Sequence, residues 1–219
     1  YDDYSNGASL EDDWSLAAKN QLKLAYHWKE DVHREKNSAS EPVRHYKDRT
    51  QSVGVEDSQP FASGTTLVSG ISYDWRDALQ ADDYNSKQGV HSYELADNSA
   101  LNGQIGVFQK VGGEGKAHAT VARKSRFPTI KDRYSYKLGT AIPNPDLKTE
   151  HANHYEVGYE DVIAQNWLWH GNLFYSRIQD LIQANIISSS ACTTPPCTQM
   201  MNVGKARNSG VELGLTAML

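Results

Sequence analysis

The heptad Asn144-Pro145-Asp146-Leu147-Lys148-Thr149-Glu150 opens with a turn-forming Asn-Pro-Asp, and soon after it the chain alternates apolar and polar residues with period two. Tyr155, Val157 and Tyr159 fall on one face, His154, Glu156, Gly158 and Glu160 on the other. A second segment of the same kind puts Val211, Leu213, Leu215, Ala217 and Leu219 opposite Glu212, Gly214, Thr216 and Met218. A strand with one continuous apolar face needs something to cover it. The choices are a second sheet or lipid.

The 219 residues fill one large domain or two small ones. No stretch approaches the roughly 18 apolar residues of a membrane helix. The mean hydropathy of −0.65 still allows a membrane barrel, which needs apolar residues only at alternate strand positions. A net charge of −5 argues against a nucleic-acid partner. The start, Tyr1-Asp2-Asp3-Tyr4, has neither the basic region nor the apolar stretch of a signal peptide, so a signal was removed or the chain begins in mid-protein.

Eight strand candidates stand at about 14–29, 50–56, 65–76, 100–109, 116–124, 151–161, 167–180 and 204–219. Long connections (30–49, 77–99, 125–150, 181–203) alternate with short ones (57–64, the Gly112-Gly113-Glu114-Gly115 turn, 162–166). Strict rotation puts every long loop on one side of an up-and-down meander, the layout of outer-membrane barrels. A soluble sandwich rarely sorts its loops by side.

Aromatic placement favours lipid. Trp14, Leu16, Ala18, Leu22, Leu24, Tyr26 and Trp28 share one parity, as do Leu67, Ile71, Tyr73 and Trp75, and Trp167, Trp169, Gly171, Leu173 and Tyr175. Tyr and Trp thus gather at the ends of apolar stripes, as in interfacial girdles. Trp167 to Tyr175 covers about 26 Å of strand, or about 20 Å at a tilt of about 40°, against an apolar band of about 25 Å. Lys19, Lys23, His27, Asp74, His118, His170, Asn172 and Ser176 occupy the opposite parity and suit a wet interior. The expected fold is an all-β, antiparallel up-and-down transmembrane β-barrel, here a partial barrel of about eight strands. The competing reading is a soluble sheet with aromatic cross-strand pairs.

NPDLKTE followed by HYEVGYE, then WLWHGNLFYSRIQDLIQ and NVGKARNSGVELGL, resembles the later barrel strands of TonB-dependent outer-membrane receptors. ARKSRFPTIKDRYS resembles the segment that precedes that motif. The likeness is specific over about 121–219 and compatible in pattern over 14–120, where Asp31-Val32-His33-Arg34 fits a strand end. Thr149 stands where the family usually has Pro, and no plug, TonB box or terminal aromatic is seen. Family barrels have about 22 strands around a plugged lumen. The resemblance therefore implies that residues 1–219 are an internal slice of a receptor barrel, with the plug and flanking strands absent.

It also implies a function: active uptake of a scarce ligand, foremost a ferric siderophore, with haem or cobalamin as alternatives, energised by TonB through the plug. The implied location is the Gram-negative outer membrane, among lipid and lipopolysaccharide. No catalytic residue, cofactor or resident metal is expected. Two other classes remain open. A self-contained eight-stranded barrel, an adhesin or anchor, would pair its first and last strands. An outer-membrane enzyme would need an acidic–histidine cluster at the rim.

Cys192 and Cys197 flank Thr193-Thr194-Pro195-Pro196 in the last long loop, where an oxidising compartment favours a local disulfide of about 2 kcal/mol in the chain-entropy model. Such a bridge stiffens a ligand-contacting loop or staples it against proteolysis; C-x4-C without a second pair is not a metal site. Arg123, Lys124, Arg126, Lys131 and Arg133 cluster around Phe127-Pro128. With Tyr134 and Tyr136, the residues Arg126, Lys131 and Arg133 form the candidate contact for an anionic chelate. The same charges also suit lipopolysaccharide phosphates or a solvated loop. His151 and His154 lie on opposite strand faces and do not make a metal pair. His33 and His91 sit at loops, unpaired in sequence.

Overall fold

A computed structural model describes residues 1–136, 139–163, 166–188, 192 and 195–217. Its strands are β1 (Asp2–Ser15), β2 (Gln21–Glu35), β3 (Arg44–Pro60), β4 (Thr65–Asn85), β5 (Gly89–Ser92), β6 (Asn98–Val111), β7 (Gly115–Arg126), β8 (Ala141–Ile142), β9 (Glu150–Ile163), β10 (Trp167–Gln179), β11 (Ile182–Ile187), β12 (Cys197–Asn202) and β13 (Lys205–Ala217). A short helix, α1 (Ile130–Tyr134), and a 3₁₀ turn at Ala17–Lys19 complete the described elements. Nine strands form one antiparallel meander in the order β1-β2-β3-β4-β6-β7-β9-β10-β13, with β5 attached to the far end of β4. The fold is a partial β-barrel, open at β1 and β13. Among the described residues those edge strands do not pair with each other, which removes the support that the self-contained barrel required.

The strand count corrects the sequence expectation of eight. The segment expected as one strand at 14–29 is the end of β1, a tight turn and β2. Leu16 donates its amide to Asn20 O (2.8 Å), and Lys19 adopts φ 63°. The parity of Trp14, Leu16, Leu22 and Leu24 runs through this turn unbroken, because Trp14 and Leu22 are cross-strand partners on the same face. Periodicity alone could not see the reversal. The strands are also longer than expected: β3 begins at Arg44 and β4 runs to Asn85. Their added ends, 44–49 and 77–85, mix charged residues such as Asp48 and Asp82 with Tyr46, Ala78, Leu79 and Ala81 and carry no strict alternation to read. The Gly112–Glu114 stretch is the turn expected, with Gly112 at φ 65°.

Register fixes the two faces of the wall. Tyr155, Val157, Leu173, Val211 and Leu213 line up across β9, β10 and β13 on the convex face. They are exposed, Leu213 to 79%, and form an apolar band of neighbouring side chains, a feature that marks an interaction surface. Glu156, His118, Asn172 and Glu212 lie on the concave face, where His118 Nε2 meets Glu156 Oε1 at 3.0 Å. Gly158 lies among them because a Cβ there would collide with the His118 ring and the Asn172 amide. Met218 and Leu219 lie outside the described residues.

The four long connections gather at one end and the tight turns at the other, as the loop rotation predicts. The long ones are not featureless. The 127–149 connection holds α1 and β8; the 180–204 connection, expected as a loop, holds β11 and β12. Together β11, β12 and β8 form a second, three-stranded sheet. The cluster of fully buried apolar residues also lies at this end, built from Tyr46, Ala81 and Tyr134 with Tyr93 and Ile130 packed on it.

Candidate functional site at the long-loop mouth

Thr129 starts α1 by a reciprocal cap: its hydroxyl accepts the Asp132 amide (3.1 Å), and Asp132 Oδ2 accepts the Thr129 amide (3.0 Å). Arg126, at the end of β7, donates to Asp132 Oδ2 (3.1 Å) and to Glu150 Oε2 (3.4 Å). That bracket turns the helix so that Arg133 and Tyr134 enter the concave side of the wall.

Arg133 is completely buried. Its guanidinium donates to Asp48 on β3 and to Tyr134 Oη (2.9 Å). Arg76 on β4 reaches the same Asp48 oxygen (3.3 Å) and also donates to Ala96 O (2.8 Å) and Asn98 Oδ1. Two guanidiniums thus share one buried carboxylate. Removing the shared carboxylate would leave two uncompensated guanidiniums out of water, at about 3–5 kcal/mol.

Aromatic rings continue the joint. Tyr134 stacks on Tyr46 (5.7 Å between centroids) and on Tyr93 (5.4 Å); Tyr46 packs on His33 (5.6 Å), and His33 on Tyr1 (5.8 Å). Offset aromatic pairs of this kind add about 0.5–1.5 kcal/mol each beyond their burial. Burial raises the phenol pKa values of Tyr134 and Tyr93, and nearby Asp83 raises that of Tyr93 further.

Between this ladder and the 127–136 segment lies a cavity of about 760 Å³, with Asp31, His33, Tyr46, Ile130, Lys131 and Tyr136 among its walls. The size falls within the range of small-ligand sites, about 300–1,000 Å³. His33 is held by Asp3 at Nδ1, with Glu35 3.4 Å from Nε2.

The five candidate ligand residues separate in this geometry. Lys131 and Tyr136 line the cavity, and Lys131 is exposed. Tyr134 also borders it, but its ring is buried in the stack. Arg133 is a correction: sequence reading exposes it to ligand, whereas Asp48 draws it fully inside. Arg126 is engaged with two carboxylates outside the cavity. His33 belongs to the site; His91 sits away from it, 3.3 Å from Asp83. His151 and His154 lie on opposite faces, as read. Asp48, Arg76, Tyr46 and Tyr93 were missed, since nothing local distinguishes them from other polar or aromatic strand residues.

Cys192 and Cys197 form a disulfide with Cα atoms 5.8 Å apart. Cys197 begins β12, and the next residue, Thr198, donates its amide to Thr140 O (3.0 Å) beside β8. Asn144 Nδ2 to Met200 O (2.8 Å), Lys148 N to Asn202 Oδ1 (2.9 Å) and Gln199 Nε2 to Pro143 O (3.1 Å) bind the two connections further.

An antiparallel meander with an apolar, aromatic-ended convex face, a polar concave face and structured loops at one mouth is the wall of a membrane β-barrel. The chain belongs to the TonB dependent receptor-like, beta-barrel family, whose model matches residues 1–218. Among solved structures, the FrpB iron transporter from Neisseria meningitidis (F3-3 variant) superposes with a TM-score of 0.75 at 20% identity, covering 99% of this chain and 33% of that one. The copper transporter OprC gives 0.79 at 16% identity, covering 99% and 35%. The siderophore receptor PirA from Pseudomonas aeruginosa gives 0.70 at 18%, covering 96% and 38%. At these identities the likeness speaks for the fold. The chain spans about a third of the length of these structures. No curated protein matches its sequence.

Proposed function

We propose that this chain is part of the wall and outer mouth of an outer-membrane receptor that takes up a scarce ligand, foremost a ferric siderophore, with energy delivered by TonB through a plug domain. In this reading β1 and β13 join further strands to close the barrel, because unpaired backbone groups in lipid cost several kcal/mol each. The convex band faces outer-membrane lipid and lipopolysaccharide, and the long loops face the exterior.

The observation that carries the reading is the 760 Å³ cavity at the mouth, bordered by tyrosine rings and the exposed Lys131 on the loop side and by Asp3, Asp31 and Glu35 on the wall side. Aromatic faces and a cation suit an anionic, partly aromatic iron chelate. Lys131 and Tyr136 are the proposed contacts, with Arg126 and Tyr134 shaping the rim and Arg133 holding it in place. A haem reading draws on His33, which borders the same cavity, although carboxylates already engage its ring. Growth of a receptor-deleted strain, complemented with the full-length gene, on single iron sources tests both. Growth restored on a ferric siderophore, and abolished when tonB is also deleted, supports the proposal. Restoration on haem alone favours the second reading, and restoration on neither sinks both.

A further inference from the structure

Six of the chain's nine arginines have a carboxylate partner: Arg34 with Asp2, Arg44 with Glu35, Arg49 with Glu30, Arg76 and Arg133 with Asp48, and Arg126 with Asp132 and Glu150. Among the described residues Arg123, Arg177 and Arg207 have none. These three lie on one row of the sheet. Arg123 on β7 and Arg177 on β10 are both partners of Asn153 on β9, and Arg177 is the direct partner of Arg207 on β13. Lys205 follows on the same face, opposite Gln179.

Parity places the row on the convex face, since Arg207 alternates with Ser209, Val211 and Leu213. Two residues toward the short-turn end, Tyr155 and Tyr175 pair across β9 and β10 with ring centroids 6.1 Å apart. Two residues of strand are about 7 Å. The arginines therefore sit just outside the aromatic girdle, at the depth where lipid headgroups begin.

Adjacent strands are about 4.8 Å apart, so the three guanidiniums originate within roughly 15 Å of one another. Like charges directly opposite in a sheet are destabilising, and Arg177 faces Arg207. An anion with several acceptor oxygens removes that repulsion, and arginine's planar fork matches phosphate in bidentate fashion.

We propose that Arg123, Arg177, Arg207 and Lys205 form a binding site on the outer wall for the phosphate groups of a phosphorylated glycolipid in the outer leaflet. The inference rests on the outer-membrane placement proposed above, but not on siderophore uptake. The site is separate from the mouth cavity, whose lining includes none of these residues.

The test uses the full-length receptor purified in detergent and probed with bisphosphorylated lipid A and its dephosphorylated form by native mass spectrometry. The wild type is expected to retain the bisphosphorylated lipid through detergent exchange and to release the dephosphorylated one. Replacing Arg123, Arg177 and Arg207 together by Gln should weaken retention about tenfold or more, since charge-assisted hydrogen bonds are lost. Equal retention by the variant, or equal retention of both lipids by the wild type, overturns the site. Heat-modifiable gel migration checks that the variant folds; if it does not, the comparison of the two lipids on the wild type decides alone. Iron-dependent growth of the variant reads uptake separately, so a failure of the siderophore reading leaves lipid retention unchanged.

Discussion

Arg133 and Asp48, 85 positions apart in sequence, meet in a fully buried ion pair that fastens the 127–149 connection to the third strand of the wall. Asp48 also receives Arg76, so the carboxylate serves two guanidiniums from different elements. Replacing Asp48 by Ala is expected to destabilise the full-length receptor by about 3–5 kcal/mol, because two buried cations lose their counter-charge. Arg133→Ala should cost less, since Arg76 still neutralises Asp48. Thermal unfolding measured on gels would check the order, and limited proteolysis should open the 127–149 connection first in both variants. A cost below about 1 kcal/mol for Asp48→Ala, typical of exposed pairs, would rule out a buried latch.

The assignment of faces has its own test. Leu213→Arg puts a charge in the middle of the convex apolar band and should cost about 2–4 kcal/mol, whereas Thr216→Arg, on the concave face, should cost much less. Heat-modifiable folding of the two full-length variants compares them. Equal damage would end the lipid assignment.

Phenol ionisation gives a pH-dependent signature. The folded protein holds the Tyr134 and Tyr93 protons to higher pH than an unfolded chain would, mainly through burial. Their contribution to stability is complete below the usual phenol pKa of about 10 and declines as pH rises beyond it. Ultraviolet difference titration of the full-length receptor should show a late fraction of phenolate, reduced in a Tyr134→Phe variant. Unchanged late titration in that variant would mean that Tyr134 is not among the protected phenols.

For the disulfide, non-reducing peptide mapping should recover Cys192 and Cys197 in one linked species. Reduction should increase hydrogen exchange not only across 195–202 but also at 139–148, because β12 and the segment around β8 share hydrogen bonds. Exchange that rises only on the β12 side would show that the bridge does not support the neighbouring connection.

Much of this architecture is legible from alternation. Val211-Glu212-Leu213 and Tyr155-Glu156-Val157 announce two-faced strands, and the rotation of long and short connections announces a meander. The turn at Ala17–Lys19 was hidden because it preserves parity on either side. The far ends of β3 and β4 were hidden because they bury charged groups (Arg44, Asp48, Asp82) beside Tyr46, Ala78 and Ala81, so no simple apolar–polar alternation marks them. The mouth was legible only as composition: FPTIKDRY reads as a basic, aromatic segment. Whether Arg133 points to water or to protein depends on Asp48, and that contact between distant residues leaves no local trace.

The pairing of β8 with β12 bears on how such a mouth can be altered. Residues 139–148 and 197–202 exchange backbone and side-chain hydrogen bonds, while α1 anchors the first of these connections to β3. A loop graft that replaces the disulfide-bearing connection alone would strand the partner edge at Ala141–Ile142. Transplants between receptors of this family should therefore succeed when the two segments travel together, and natural insertions should accumulate in stretches that neither segment contributes to the shared sheet.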